Sequence, residues 1–208
     1  MNPEKQFTKW AMDILSIAQA GLAYSDNPYE LERCRQLQEI GQSMLAWQMD
    51  QPVEVIQRMF AAEEGYMTPK VDTRAALFKD GKILLVHENN GDWALPGGWC
   101  ETTLSPAENT LKELEEEAGY IGRVTKVIAI QDWMKHNPCN LPFGVVKIFM
   151  ECEPVRKTEL DHVETSEARF FGRDELPDRL AREKDTKEQI ELCFDAHEAG
   201  PAWKTVFD

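Results

Sequence analysis

The stretch Gly97–Gly119, GGWCETTLSPAENTLKELEEEAG, contains the strongest local structural signals of this chain. Residues 105–108, Ser-Pro-Ala-Glu, have the pattern of a capping box, and Gly119 suits a left-handed helix exit. The sequence therefore predicts a helix between these two signals. Apolar residues recur within it at spacings of four, three and four, which predicts one buried face: Ala107, Leu111, Leu114 and Ala118. A glycine pair comes before the helix, so we expect a strand, a glycine loop and a helix in succession.

Four carboxylates crowd the end of the predicted helix: Glu113, Glu115, Glu116 and Glu117. Like charges at these spacings repel, and the helix dipole disfavours negative charge in a last turn. Glu113, Glu116 and Glu117 recur at spacings of three and four and therefore share a face, whereas Glu115 is expected at the surface. One interpretation is a solvated acidic face beside Lys112. The other is a site for a hard divalent cation such as Mg²⁺, which takes oxygen ligands, and the glycine loop upstream favours it.

The composition is that of an ordinary globular protein, with 208 residues, 42% hydrophobic and 29% charged. The formal net charge of −14 argues against DNA, RNA or an anionic membrane as a partner, because such binding needs Lys and Arg against phosphate. The five cysteines are an odd number without metal-ligand spacing, as expected of reduced thiols. No signal region or membrane span is evident, so we expect an intracellular, cytoplasmic protein.

Residues 1–64 have the periodicity of three helices. The first is expected to bury one apolar stripe: Trp10, Ile14, Ile17, Ala18 and Leu22. The second should begin at Asn27 and Pro28 and bury another stripe: Leu31, Cys34, Leu37, Ile40, Met44 and Leu45. Three short helices bury little surface alone. We therefore predict an N-terminal helical domain, residues 1–66, that packs on the main domain or on a second copy of the chain, with a homodimer as the expected assembly.

Residues 67–208 alternate strand and helix patterns and predict an α/β (α+β) fold. Lys79-Asp80-Gly81 separates two apolar runs and indicates a β-hairpin. Further strands are expected in the segments RVTKVIAIQDWM and FGVVKIFMECEP, and a C-terminal helix is expected in DTKEQIELCFDAHEAG.

The stretch around the glycine loop and acidic helix resembles the signature of the Nudix hydrolases, G-x5-E-x7-R-E-U-x-E-E-x-G-U, where U is a bulky apolar residue. Gly98 matches the first glycine, and residues 112–120, KELEEEAGY, match the second half. Leu104 stands where the signature has Glu, and Lys112 stands where it has Arg. The resemblance implies a mixed-sheet α/β/α sandwich. It extends over nearly the whole chain to a subgroup with an N-terminal helical domain, described as CDP-choline or ADP-ribose pyrophosphatases, some of which also act on RNA ends.

The resemblance also implies a site for Mg²⁺ or Mn²⁺, formed by the carbonyl of Gly97 and three carboxylates: Glu113, Glu116 and Glu117. The implied reaction is hydrolysis of a phosphate anhydride, which needs charge neutralisation and a positioned water. Glu116 or Glu117 is the expected acceptor of the water proton. Glu164 and Glu167 are further candidates from a loop, with surface charge as the alternative.

Four basic residues are candidates for contact with the substrate: Lys70, Arg74, His136 and Lys147. Arg74 and Lys147 lie within apolar strand patterns, where a cation needs a partner. That partner is either a substrate phosphate or an internal carboxylate. Lys70 and His136 are expected in loops, where plain solvent exposure is the alternative.

Three functions stay open on the sequence alone. The resemblance favours a Mg²⁺-dependent pyrophosphohydrolase that cleaves a nucleoside diphosphate linked to another moiety, of the CDP-choline or ADP-ribose type, into two monophosphates. The alternatives are a pyrophosphatase that removes oxidised nucleoside triphosphates and a non-catalytic nucleotide-binding module. The presence of Glu113, Glu116 and Glu117 favours an enzyme, whereas Leu104 in place of the signature Glu favours the binding module.

Overall fold

The structure is a computed structural model that describes residues 3–61, 63–138, 142–158 and 165–208. The described residues form two compact units, one within Met1–Pro69 and Asn140–Gly144 and the other within Lys70–Cys139 and Val145–Asp208. The first unit contains three helices in its described part: α1 (Pro3–Tyr24), α2 (Pro28–Met49) and α3 (Val53–Phe60). As predicted, Asn27 begins α2, because its side chain accepts a 3.0 Å hydrogen bond from the backbone N–H of Tyr29.

Glycines let α1 and α2 approach closely. A Cβ atom on Gly41 would lie 2.7 Å from Cγ of Leu15, and one on Gly21 would overlap Sγ of Cys34. Side chains of the partner helix therefore fill the space that each glycine leaves. This close packing fixes which stripe of each helix is buried.

The predicted buried stripes of α1 and α2 are wrong in part. Trp10 and Ile17 are 56% and 65% exposed, and Ile40 is 51% exposed. Ala18 and Leu45 are buried as predicted. The buried cluster otherwise consists of neighbouring apolar residues: Ala11, Leu15, Ala46, Ile56 and Phe60. Two adjacent apolar stripes on each helix have the same helical periodicity. The stripe that contains small residues is buried, because small residues let the two helices approach more closely.

Eight strands form a mixed sheet in the described part of the second unit: β1 (Lys70–Lys79), β2 (Lys82–Glu88), β3 (Trp93–Ala94), β4 (Gly97–Trp99), β5 (Tyr120–Asp132), β6 (Val145–Lys157), β7 (Thr165–Phe171) and β8 (Val206–Phe207). The strand order is β3-β2-β1-β6-β5-β8, with β4 on β1 and β7 on β2. The pairs β1–β6 and β5–β8 are parallel, and the others are antiparallel. Three helices accompany the sheet: α4 (Pro106–Ala118), α5 (Trp133–His136) and α6 (Lys187–Ala199).

Helices cover both faces of this sheet. Leu114 of α4 packs with Ala75 and Leu77 of β1 on one face. Phe194 of α6 packs with Phe78 of β1 on the other face. Successive strand residues point to opposite faces, so β1 contributes to both cores. This arrangement confirms the predicted α/β/α sandwich with a mixed sheet.

The turn and cap predictions of the second unit are confirmed. Asp80 and Gly81 have φ values of 52° and 73° and join β1 to β2 as a hairpin. Ser105 and Glu108 form the capping box at the start of α4, and Gly119 ends the helix with a φ of 68°. Among the helices that the structure describes, none combines the length and the apolar character needed to cross a membrane.

Candidate functional site

The glycine loop between β3 and α4 lies directly against β1. Gly97 pairs with Arg74 in antiparallel register, and the N–H of Ala75 donates a 2.8 Å hydrogen bond to the carbonyl of Pro96. Gly97 has a φ of 148°, and a Cβ atom there would overlap the carbonyl oxygen of Thr73. The loop can therefore come this close to β1 only with glycine at this position.

Two of the predicted carboxylates meet the glycine loop. Oε2 of Glu117 accepts a 2.8 Å hydrogen bond from the N–H of Gly97, and Glu117 is only 8% exposed. The carboxylate of Glu113 lies beside Gly98, where a Cβ atom would be 3.3 Å from its Oε2. The hydroxyl of Thr165 donates a 2.6 Å hydrogen bond to the carbonyl of Glu117 and fixes the last turn of α4.

Burial raises the pKa of Glu117 to about 7. The N–H of Gly97 and the charge of Arg74 lower this pKa, and the charge of Glu113 raises it, but the loss of solvent outweighs them. The ionised form of Glu117 is therefore costly in the metal-free protein, and a nearby dication would favour it. Carboxylate and carbonyl oxygens are also the ligands that Mg²⁺ takes. The donor set at this loop thus fits a hard divalent cation.

The third carboxylate, that of Glu116, turns toward Lys112. Nζ of Lys112 donates a hydrogen bond to Oε2 of Glu116 and lies 3.3 Å from Oε1 of Glu101. The bond to Glu116 raises the pKa of Lys112. Across the described ranges, no group of three or more His, Cys, Asp or Glu side chains is arranged to hold a metal ion. Glu113 and Glu117 thus contact the glycine loop, whereas the side chain of Glu116 is hydrogen bonded to Lys112.

Arg74 and Lys147 belong to a buried network of opposite charges beside the loop. Nε and Nη2 of Arg74 donate hydrogen bonds of 2.8 and 2.6 Å to the two oxygens of Asp72. Lys147 lies opposite Asp72 on β6, with Nζ 3.4 Å from Oδ1 of Asp72 and 3.7 Å from Oδ1 of Asp185. The two cationic residues are only 3% and 1% exposed. Of the two kinds of partner expected for them, the structure shows internal carboxylates.

Burial and charge compete in this network. Burial alone would raise the pKa of Asp72, but Arg74 and Lys147 hold it below its usual range. Burial alone would lower the pKa of Arg74, but Asp72 and Asp185 raise it. For Lys147, burial and the charge of Arg74 prevail, and its pKa lies below the usual lysine value. Two charges of each sign therefore balance each other inside the protein.

The other predicted residues lie at the ends of elements or on the surface. Lys70 and Glu167 were expected in loops, but Lys70 is exposed at the start of β1 and Glu167 is exposed on β7, where hydrogen bonds between strands hold the backbone. His136 ends α5, where its Nε2 lies 3.0 Å from Oδ1 of Asp208. Glu164 falls outside the described residues. The structure thus gathers Gly97, Glu113, Glu117 and Arg74, while the side chains of Glu116 and His136 engage Lys112 and Asp208.

Three residues at this site were not predicted: Asp72, Thr165 and Asp185. Asp72 and Arg74 are two residues apart on β1 and share a face of the sheet, so this spacing could have identified the pair. Thr165 and Asp185 come from distant segments of the chain. Their positions follow from the tertiary fold, and the local sequence gives no signal for them.

Comparison with known proteins gives the family. Residues 68–193 match the family model for the NUDIX domain, and residues 5–60 match the model described as a UDP-X-like, N-terminal oligomerisation domain. The Bacillus subtilis (strain 168) protein named "Putative ADP-ribose pyrophosphatase YjhB" is 40% identical over 205 residues, which are 97% of this chain and 98% of that protein.

Two solved structures are also similar. The crystal structure of an ADP-ribose pyrophosphatase from Streptococcus suis 89-1591 is 44% identical, with a TM-score of 0.62, and the match covers 68% of this chain and 100% of that one. The crystal structure of a UDP-X diphosphatase is 30% identical, with a TM-score of 0.63, and covers 99% of both chains. The chain therefore belongs to the Nudix hydrolase family, whose members act on pyrophosphate bonds, and its Nudix domain follows a UDP-X-like N-terminal oligomerisation domain.

Proposed function

We propose that the protein is a Mg²⁺- or Mn²⁺-dependent pyrophosphohydrolase of nucleoside diphosphates linked to a second group. ADP-ribose is the first substrate that we propose and CDP-choline the second, each cleaved to two monophosphates. The observation that carries the proposal is the carboxylate of Glu117, buried against Gly97 next to Glu113. The names of the relatives, ADP-ribose pyrophosphatase and UDP-X diphosphatase, support this substrate class.

The residues of the glycine loop and α4 would bind the cation and accept a proton from the attacking water. The cation would be held by the carbonyl of Gly97 and the carboxylates of Glu113 and Glu117, and Glu116 would join them on releasing its hydrogen bond with Lys112. When bound, the cation would neutralise negative charge on the diphosphate oxygens and lower the pKa of the attacking water. Glu116 or Glu117 would accept the proton of the attacking water.

Of the four basic residues predicted to contact the substrate, two are exposed and two are buried, and we assign them different roles. We assign Lys70 and His136 to contact with the phosphates or the linked group, because both lie at the surface of the second unit. Arg74 and Lys147 are buried in ion pairs, and leaving a buried carboxylate unpaired is costly. We therefore assign these two residues an indirect role in shaping the glycine loop.

Product analysis tests the proposed reaction. The purified protein is incubated with Mg²⁺ and ADP-ribose, CDP-choline or an oxidised nucleoside triphosphate, and the products are separated by chromatography. Two monophosphates from ADP-ribose or CDP-choline would support the proposal. Pyrophosphate released from the triphosphate would instead indicate the sanitising reaction, and no release from any substrate would leave a nucleotide-binding module.

Two variants of α4 sharpen this test. Glu117→Gln removes a proposed ligand and should lower turnover about 100-fold. Glu115→Gln makes the same chemical change on an exposed position of the same helix and should leave turnover unchanged. Equal effects of the two substitutions would contradict the assignment of Glu117 to the site.

We also propose that the protein is a homodimer joined through its N-terminal helices. Trp10, Ile17 and Tyr24 recur every seven residues along α1 and are 56%, 65% and 71% exposed. They form one apolar stripe, and a second copy with the same stripe could cover it about a two-fold axis. The description of the matching family model as an oligomerisation domain supports an assembly through this part of the chain.

Light scattering tests the dimer. The wild type should have twice the monomer mass of 23.9 kDa, and Ile17→Asp should shift it toward the monomer mass. Gln36→Asp adds the same charge at an exposed polar position of α2 and should leave the mass unchanged. A wild type that is monomeric at every concentration would contradict the proposal.

A cytoplasmic location is the last part of the proposal. Burial raises the pKa of Cys152 to about 12 and that of Cys193 well above its usual range, as expected of inert structural thiols. Such thiols suit a reducing compartment. Cell fractionation checks this location, and recovery of the protein from the culture medium would contradict it.

A further inference from the structure

We infer that Asp185 is a positioning residue for the glycine loop. Asp185 binds the backbone of Leu95 and so fixes the peptide groups that precede Gly97. These peptide groups in turn set the position of the Gly97 N–H, which donates a hydrogen bond to Glu117. The inference rests on the proposed function, because the geometry that Asp185 would protect is that of the proposed cation site. Asp185 lies outside the signature stretch and precedes α6.

Asp185 reaches the loop by a direct hydrogen bond. Its side chain is fully buried, and Oδ2 accepts a 2.9 Å bond from the N–H of Leu95. On the other side of the same residue, Nη1 of Arg74 donates a 3.2 Å bond to the carbonyl of Leu95. The next carbonyl, that of Pro96, accepts from the N–H of Ala75. Both peptide groups before the glycine pair are therefore held from outside the loop.

The charge of Asp185 matters as well as its hydrogen bond. Oδ2 lies 3.9 Å from Nη1 of Arg74, and Oδ1 lies 3.7 Å from Nζ of Lys147. Oδ1 accepts no hydrogen bond from any residue that the structure describes. This oxygen is therefore held by charge alone. Without the carboxylate, Arg74 and Lys147 would share Asp72, and one buried positive charge would lack a partner.

The segment that carries Asp185 is itself firmly attached. The N–H of Asp185 donates a 2.8 Å bond to the carbonyl of Ala181, and the N–H of Ala181 donates a 2.9 Å bond to the carbonyl of Trp93. Nδ2 of Asn137 donates a 2.9 Å bond to the carbonyl of Arg182. Because these hydrogen bonds hold the segment in place, the bond from Leu95 to Asp185 holds the glycine loop at a fixed distance from that segment.

Binding of Mn²⁺ to the protein without substrate, followed by electron paramagnetic resonance, tests the inference. Asp185→Asn should weaken Mn²⁺ binding about 10-fold, as is typical when a partner behind a metal site is lost. Hydrogen exchange of the Leu95 amide should become faster in the same variant, because the amide oxygen of Asn is a weaker hydrogen-bond acceptor than a carboxylate. Glu151→Gln is the matched control. Glu151 is also a buried carboxylate, but it pairs with Lys126 and His197, and its loss should leave both readouts unchanged.

A second variant covers the case in which Asp185→Asn does not fold. The double variant Lys147→Met/Asp185→Asn removes one charge of each sign and keeps the network neutral, and it should also bind Mn²⁺ about 10-fold more weakly. Wild-type Mn²⁺ affinity in a folded Asp185 variant, or an equal loss in Glu151→Gln, would overturn the inference. If the wild type binds no Mn²⁺, the proposed function fails, and exchange of the Leu95 amide alone decides whether Asp185 positions the loop.

Discussion

At Gly97 the backbone has a φ of 148°, and a Cβ atom there would lie 2.9 Å from Cα of Arg74 and overlap the carbonyl of Thr73. Backbone cannot move aside as a flexible side chain can, so Gly97→Ala must push β4 away from β1. We expect this substitution to lower the free energy of unfolding by about 3 kcal/mol and to abolish binding of divalent cations.

The neighbouring glycine provides the control for this prediction. A Cβ atom on Gly98 would have the carboxylate of Glu113 as its nearest neighbour, at 3.3 Å, and this side chain can turn away. Gly98→Ala should therefore cost much less stability, as measured by chemical denaturation. Equal losses of stability in the two variants would show that the close approach at Gly97 is not a constraint.

The raised pKa of Glu117 predicts a pH dependence of stability in the metal-free protein. Its pKa is about 7 in the folded state, against a usual value near 4.5 in the unfolded chain. Stability from this group is fully present below pH 4.5 and is lost as the pH rises through 7, with a total on the order of 3 kcal/mol. Glu117→Gln keeps an acceptor for the N–H of Gly97 but cannot ionise.

Denaturation of both proteins in EDTA between pH 5 and pH 8 measures this effect. The stability of Glu117→Gln relative to the wild type should increase with pH across this range. A difference between the two proteins that stays constant with pH would contradict the raised pKa.

At the scale of the element, the capping box of α4 sets where the acidic helix begins. The N–H of Glu108 donates to Oγ of Ser105, and the carboxylate of Glu108 accepts from the N–H of Ser105. Ser105→Ala should lower the free energy of unfolding by about 1 kcal/mol. Thr103→Ala, at an exposed position just before the helix, should stay within about 0.5 kcal/mol of the wild type in the same denaturation experiment.

Local signals explain why the elements of the second unit were predictable. The cap at Ser105, the exit at Gly119 and the hairpin at Asp80-Gly81 depend on residues within four positions of each other. The face of α1 was not predictable in the same way. Its periodicity allows either the stripe of Trp10 and Ile17 or that of Ala11 and Leu15, and only the partner helix decides between them.

The candidate site shows the same division between local and tertiary information. The positions of Glu113 and Glu117 follow from helical spacing and the glycine loop, and the structure places both at that loop. The side chain of Glu116 reaches along α4 to Lys112, which donates a hydrogen bond to it, and this bond was not predicted. Asp185 contacts Leu95 only through the tertiary fold, so no local pattern predicted it.

At the scale of the whole molecule, the chain has a net charge of −14, and two of its carboxylates, Glu113 and Glu117, lie beside the glycine loop. General attraction of cations by the acidic surface would be weak, and salt would screen it. A specific site depends instead on the buried donors, which salt screens much less. Binding that persists at 0.3 M NaCl would therefore distinguish the proposed site from the surface.

Isothermal titration calorimetry with Mg²⁺ in 0.3 M NaCl, with a non-hydrolysable ADP-ribose analogue present, tests whether the glycine loop and α4 bind a divalent cation. The wild type and Glu115→Gln should bind saturably, and the double variant Glu113→Gln/Glu117→Gln should bind at least about 10-fold more weakly. The absence of specific Mg²⁺ binding by the wild type, or equal binding by the double variant, would contradict the proposed cation site.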